Sequence, residues 1–166
     1  METTRKCFTK IFTNRLSLII KEKKILRGPN FAGLPGESTQ EPIQLINNIC
    51  EEAREQSKEV WILFQDTAKA FDTVNLKILY KVLTKIKIPQ ETANLIISLF
   101  QGRNFKIITD HGLTDKVTAE DGIDQGDTIS PLLWRIFYDP LLYKIQESSY
   151  LGYTIGCTWN SNNTTN

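Results

Sequence analysis

Five consecutive apolar residues, Val60 to Phe64, run through Gln65 straight into the carboxylate of Asp66. A run that short, β-branched at one end and aromatic within, predicts a buried strand over 60–65. Few other features of the chain constrain it as much. A buried strand demands a sheet to join and other layers to cover it. The charged residues that follow, Asp66, Lys69 and Asp72, then sit where the strand leaves the core.

The remaining patterning is mixed. Residues 5–22 read as a helix, with Phe8, Ile11, Phe12, Leu16 and Ile19 near helical spacing. The stretch RGPNFAGLPGES (27–38) is a loop rich in Gly and Pro. Ser38 and Glu41 have capping-box spacing, and Ile43, Ile46, Cys50 and Ala53 share one face of a helix ending near Gln56. Leu76, Leu79, Val82, Leu83 and Ile86 form a helical stripe over 75–87, which Asp72 could cap. Pro89 breaks it, and a further helix over about 90–101 ends at Gly102. NFKIITD (104–110) alternates like a strand, with a turn at His111-Gly112 and a partner around 115–120. DGIDQGD (121–127) is a loop, Ser130 an N-cap, Pro131 the first helical position, and Pro140 a kink in the helix running towards Ile145. The end of the chain is Asn/Thr-rich and reads as a surface tail. Strands and helices without regular βαβ alternation predict an α+β fold.

The 166 residues correspond to one domain or part of a larger one, and a hydrophobic fraction of 40% supports a real core. A net charge of +1 conceals an asymmetry: residues 1–27 carry +6 and the rest −5. A basic segment of this kind tracks a phosphate backbone or is simply a solvated helix face. Cys7, Cys50 and Cys157 are odd in number and lack metal-ligand spacing, so they read as free thiols with no disulfide partner. A single histidine, His111, leaves little for a zinc site or a His-based triad. No segment has the length of a signal-peptide core or membrane span, so the expected location is intracellular, nucleus or cytoplasm. A basic, acid-poor N-terminus can also mimic a mitochondrial transit peptide.

Two constellations carry chemistry. Asp66, at a strand's end, can ligate Mg²⁺, a hard cation that takes oxygen ligands. Read alone, Asp66 is more often a turn residue and Phe71 a core residue. In GIDQGDTISPLLW (122–134), Gly122 and Gly126 let backbone approach a ligand, and Gln125 can donate and accept. The helix start at Ser130-Pro131 favours phosphate. Alone, this too reads as a Gly-rich turn.

In this order, FQDTAKAFDTV (64–74) resembles the first palm motif of reverse transcriptases, and GIDQGDTISPLL (122–133) resembles the second. The likeness is to the non-LTR (LINE-type) retrotransposon polymerases, with group II intron enzymes as relatives. KIFTNRLS (10–17) and FAGLPGESTQEPI (31–43) are similar to the fingers of that family. The resemblance covers about residues 5–155. It implies a single incomplete domain: a partial fingers segment over 1–56, a partial palm over 57–155 and a polar tail over 156–166. Asp66 would be the catalytic palm aspartate that ligates both Mg²⁺ ions. Phe71 would lie under the nucleotide sugar and exclude a 2′-hydroxyl. Gln125 and Gly126 would line the template and nucleotide pocket, and Ser130 and Pro131 would start the helix behind it. RNA template, DNA primer and deoxynucleoside triphosphates would be the partners, with no membrane involved. Asp124 inside the glycine loop and Trp134, where Phe or Leu is commoner, depart from the pattern.

The family's third motif, an aromatic-x-Asp-Asp hairpin, has no counterpart, for the chain contains no Asp-Asp pair. No thumb can be placed either. The expectation is therefore a chain inactive as a polymerase alone and marginally stable, with its 60–65 strand left as an exposed apolar edge. A non-catalytic RNA- or DNA-binding remnant and a degraded transposon copy are the competing readings.

Overall fold

In the computed structural model, residues 3–148 and 152–154 are described. Among them are five helices: α1 (Thr3–Glu22), α2 (Gln40–Glu55), α3 (Leu76–Lys85), α4 (Gln90–Ser98) and α5 (Ser130–Glu147). Four short strands, β1 (Arg103–Phe105), β2 (Ile108–Thr109), β3 (Gly112–Leu113) and β4 (Val117–Ala119), form two antiparallel pairs, β1 with β4 and β2 with β3. These pairs are one interrupted hairpin, in which Phe105 faces Val117 and Thr109 faces Gly112. The α+β expectation holds at that level, and the hairpin lies where the alternation of 104–110 put it.

The core is helical. α3 contributes Leu76, Leu79, Val82 and Leu83, α4 Ala93 and Ile96, and α5 Leu132, Leu133 and Ile136, all buried. Leu16 and Ile20 of α1 close one side. The 3.6-residue stripe of α3 thus became a buried face, as periodicity requires. α3 is capped by Asn75, not by Asp72: the Ile78 N–H donates to Asn75 Oδ1 at 3.0 Å. A second acceptor reinforces the cap, because the Leu76 N–H donates to Asp121 Oδ1 at 3.1 Å. A carboxylate beside free N–H groups at a helix start is favourable on both hydrogen-bonding and dipole grounds.

Several expectations are corrected. The buried strand over 60–65 does not form: the segment has no regular secondary structure and no strand partner, with Trp61 91%, Leu63 89% and Phe64 80% exposed. An apolar run becomes a strand only when a neighbour accepts its backbone hydrogen bonds, and none of the described residues lies alongside. The capping box at Ser38 is absent. Thr39 holds the N-cap position of α2 without a side-chain bond, while Ser38 Oγ accepts from the Gln40 N–H at 3.1 Å. On the apolar face of α2 only Ala53 is buried, and Ile43 and Ile46 are exposed. Ser130 is the first residue of α5 rather than its cap, a position Ile129 takes, while Pro131 lies in the first turn as expected. The helix continues through Pro140 to Glu147. Cys7 and Cys50 are free. Cys157 and the whole polar tail over 156–166 lie outside the described residues.

The loop over 27–38 is fastened to α5 by two buried polar residues one helical turn apart. Asp139 Oδ1 accepts from the N–H groups of Arg27 (3.0 Å) and Gly28 (2.8 Å). Arg135 pairs through both guanidinium nitrogens with the carboxylate of Glu37. A Cβ on Gly28 would stand 2.6 Å from that of Leu142, so only glycine allows the loop this close to the helix.

Candidate functional site

The two motifs singled out in the sequence meet. The Ile123 N–H donates to the Phe71 carbonyl at 2.9 Å, and the Gly122 N–H to the Val74 carbonyl at 2.8 Å. Asn75 Nδ2 donates to Asp121 Oδ2 at 3.0 Å. Residues 71–76 and 121–123 are thereby one backbone-bonded unit built on the N-terminus of α3. Gly122 is what permits it: φ is +88°, and a Cβ there would stand 2.9 Å from the Asp72 carbonyl oxygen. The close approach predicted for Gly122 is therefore to the chain itself. Gly126, at φ +93°, is the one that faces open space.

Behind the joint, Phe71 is half-buried against the core and meets Trp134 edge-on, with ring centroids 6.2 Å apart at 81°. Trp134 in turn stacks on Phe137 (5.9 Å) and Tyr138 (5.1 Å). The unusual Trp134 thus heads an aromatic ladder along α5 that seats Phe71. The Ser130 hydroxyl donates to the Asp124 carbonyl at 2.7 Å and ties the loop to the helix start. Gln125 and Gly126 are exposed at the loop tip, and Pro131 is exposed in the first turn of α5.

Sequence reasoning missed the charges that hold this loop. Asp124, the residue out of pattern, is paired with Arg103 and with Arg5, whose Nη2 lies 3.4 Å from Asp124 Oδ2. Arg103 also donates to the Gly122 carbonyl at 2.8 Å and Arg5 to the Leu99 carbonyl at 3.0 Å. Asp127 is fully buried and makes no hydrogen bond through its carboxylate, but lies 3.6 Å from the same Arg5 nitrogen. A buried carboxylate must have a cation near it. Nothing local in the sequence marks Asp127 as buried, so its need for a basic partner shows only in the fold. Arg5, counted there among backbone-tracking charges, is committed to this role.

Between α1, the joint and the β1–β4 pair lies a cleft of about 750 Å³, lined by Arg5, Asp72, Arg103, Phe105, Asp124 and Gln125 among others. Asp66 is not in its lining. It is exposed on the irregular segment before the joint, with Oδ1 accepting from the Thr67 N–H at 2.9 Å. Two-ion phosphoryl transfer requires several converging carboxylates. Among the described residues no three His, Cys, Asp or Glu side chains converge on one point. Asp66 retains a free oxygen for a metal, but the donor set here does not assemble a two-ion centre.

Nor is any described helix long and apolar enough to cross a membrane.

The family model described as reverse transcriptase (RNA-dependent DNA polymerase) matches residues 1–158. The chain is 32% identical over 113 residues to a Retrovirus-related Pol polyprotein from type-1 retrotransposable element R2 of Popillia japonica, covering 68% of this chain and 16% of that protein. It is 26% identical to the R2 polyprotein of Nasonia vitripennis over 90% of this chain and 14% of that protein. It is also 31% identical to the RNA-directed DNA polymerase from mobile element jockey of Drosophila funebris, over 60% of this chain and 11% of that one. The chain thus spans about a sixth or less of the length of these curated relatives. With both motifs in place, joined through Phe71 and Ile123, and the family model spanning nearly every residue, the chain belongs to the reverse transcriptase (RNA-dependent DNA polymerase) family, as a partial stretch of the non-LTR retrotransposon kind.

Proposed function

We propose that this chain is the fingers-and-palm portion of a retrotransposon RNA-directed DNA polymerase, binding RNA but not extending a primer by itself. The division is that of a partial fingers segment over 1–56 and a partial palm over 57–155. Asp66 serves as the metal-ligating palm aspartate. Phe71 is the floor under the incoming sugar, and Gln125 and Gly126 face template and nucleotide. Ser130 and Pro131 hold the helix behind them. Mg²⁺, where a complete carboxylate set binds it, neutralises the triphosphate charge. In this chain the residues around Asp66 supply too little of that set.

The observation that carries the reading is the joint between Phe71 and Ile123. It sets the half-buried Phe71 ring and the exposed Gln125–Gly126 tip on one rigid support. Positioning and electrostatics carry nearly all of phosphoryl-transfer catalysis. A chain with the positioning loop but an incomplete carboxylate set is expected to bind and not to turn over. RNA binding is also supported by the +6 charge of residues 1–27, in which Lys23 and Lys24 are exposed.

The test is a primer–template assay in Mg²⁺ alongside RNA binding at two salt concentrations. Binding that weakens with salt, and weakens further when Lys23 and Lys24 are neutralised, is expected, with no extension. Extension abolished by Asp66→Ala would refute the inactivity, and absence of binding at low salt would refute the RNA reading.

A further inference from the structure

Two hollows away from the glycine loop form one groove. The first, about 390 Å³, lies between α1 and the turn after α3, on a floor of Phe12, Leu16, Ile19, Ile25, Ile86 and Ile88. The second, about 360 Å³, runs from that turn past Pro140 to Tyr143 of α5. Ile25, Ile86 and Lys87 line both. The rim is basic. Arg15, Arg27, Lys85 and Lys87 are exposed along it, and none forms an ion pair among the described residues. The one carboxylate in the lining, Asp139, is buried and already accepts from two backbone N–H groups. The dipole of α3 accounts for Lys85 in its last turn. It does not account for Lys87, which stands just past the cap at φ +63°, where glycine is favoured.

An apolar trough with cations along its rim fits an amphipathic helix with an acidic edge. This chain contains such a helix. α2 carries four glutamates against one arginine, a net charge of −3. It buries only Ala53 and exposes Ile43, Leu45 and Ile46. Glu41 stands one turn before Leu45 and Glu52 two turns after it, on the same stripe. No residue of α2 lines the groove of its own chain. Nucleic acid fits the groove less well. Both rings in its lining are already engaged, Phe12 with Phe8 and Tyr143 with Arg27, and the rest of the floor is aliphatic.

We infer that the groove is a self-association site, occupied by α2 of a second copy of this chain. Leu45 and Ile46 of that copy lie on the floor of Phe12, Ile25 and Ile86, with Glu41 and Glu52 against Lys85 and Lys87. The contact uses residues outside both palm motifs and does not depend on the RNA reading. It joins two different surfaces, so reversing the charge of either one alone sets like charges against each other.

The experiment is sedimentation velocity of the full chain over a concentration series at low and high salt. The groove reversal is Lys85→Glu with Lys87→Glu, and the helix reversal is Glu41→Lys with Glu52→Lys. Wild type should associate with rising concentration, and less so in high salt. Each reversal alone should weaken association about ten-fold or more. An equimolar mixture of the two should restore it, because each reversed surface then meets its complement, a result that misfolding of either variant cannot imitate. Lys87→Gly, which suits the backbone there, should also weaken association while leaving the circular dichroism unchanged. A wild type that stays monomeric, reversals that associate like wild type, or a mixture no better than its parts overturns the inference. Association lost in Leu63→Asp but untouched by the reversals overturns it too, and places the contact on the 60–64 run. A monomeric wild type whose RNA binding is lost in the groove reversal makes the groove a phosphate track instead.

Discussion

The Asp139 carboxylate accepts from the Gly28 N–H at 2.8 Å, across 111 positions of sequence. The same oxygen accepts from the Arg27 N–H at 3.0 Å, so one buried carboxylate serves two backbone donors of the 27–38 loop. Asp139→Ala is expected to cost roughly 2 kcal/mol by orphaning both donors, a drop in Tm of about 4–8 °C for a domain of this size. Arg135→Ala should cost less, because the Glu37 it abandons is already a quarter exposed and can be hydrated. Thermal melts of the two variants check the order, and a larger loss from Arg135→Ala would refute it.

Gly122→Ala should destabilise the chain by about 1–3 kcal/mol, since the residue is held at φ +88° with its would-be Cβ 2.9 Å from the Asp72 carbonyl oxygen. Gly126→Ala suffers the backbone strain alone, with open space around it, and should lose about 1 kcal/mol. Urea midpoints decide between them. Equal losses would mean that the contact with Asp72 contributes nothing.

Two leucines of the same chain should behave oppositely. Leu83 is fully buried in α3, and Leu83→Ala is expected to cost about 2–5 kcal/mol. Leu63 is 89% exposed, and Leu63→Ala should change stability by less than about 0.5 kcal/mol while reducing aggregation. Denaturation together with light scattering tests both. A large loss at Leu63 would show that the 60–65 segment is covered in solution.

Mg²⁺ at millimolar concentration should raise the Tm of wild type no more than that of Asp66→Ala, because a lone exposed carboxylate binds the ion too weakly to shift the folding equilibrium. A wild-type-specific increase would reveal further ligands gathered around Asp66.

The helices were legible because their determinants are local: the stripe from Leu76 to Leu83 needs only its own period to declare a buried face. The β1–β4 hairpin was legible for the same reason, although it breaks into two pairs. Val60 to Phe64 misled because a strand's stability resides in its partner, which no local pattern contains. In the site, the sequence brought the two motifs to notice but not the contact between them. Gly122 was read as making room for a ligand, whereas the room is filled by Asp72, fifty residues earlier. Arg5 was one positive charge among eight in the N-terminal segment. Only the fold shows that Asp124 and Asp127 claim it.

The joint at Phe71 also sets a radius. Asp66 lies five positions before it, and an extended chain covers at most about 3.6 Å per residue, so the two Cα atoms are never more than roughly 18 Å apart. Any carboxylates that complete a metal centre with Asp66 must arrive inside that sphere.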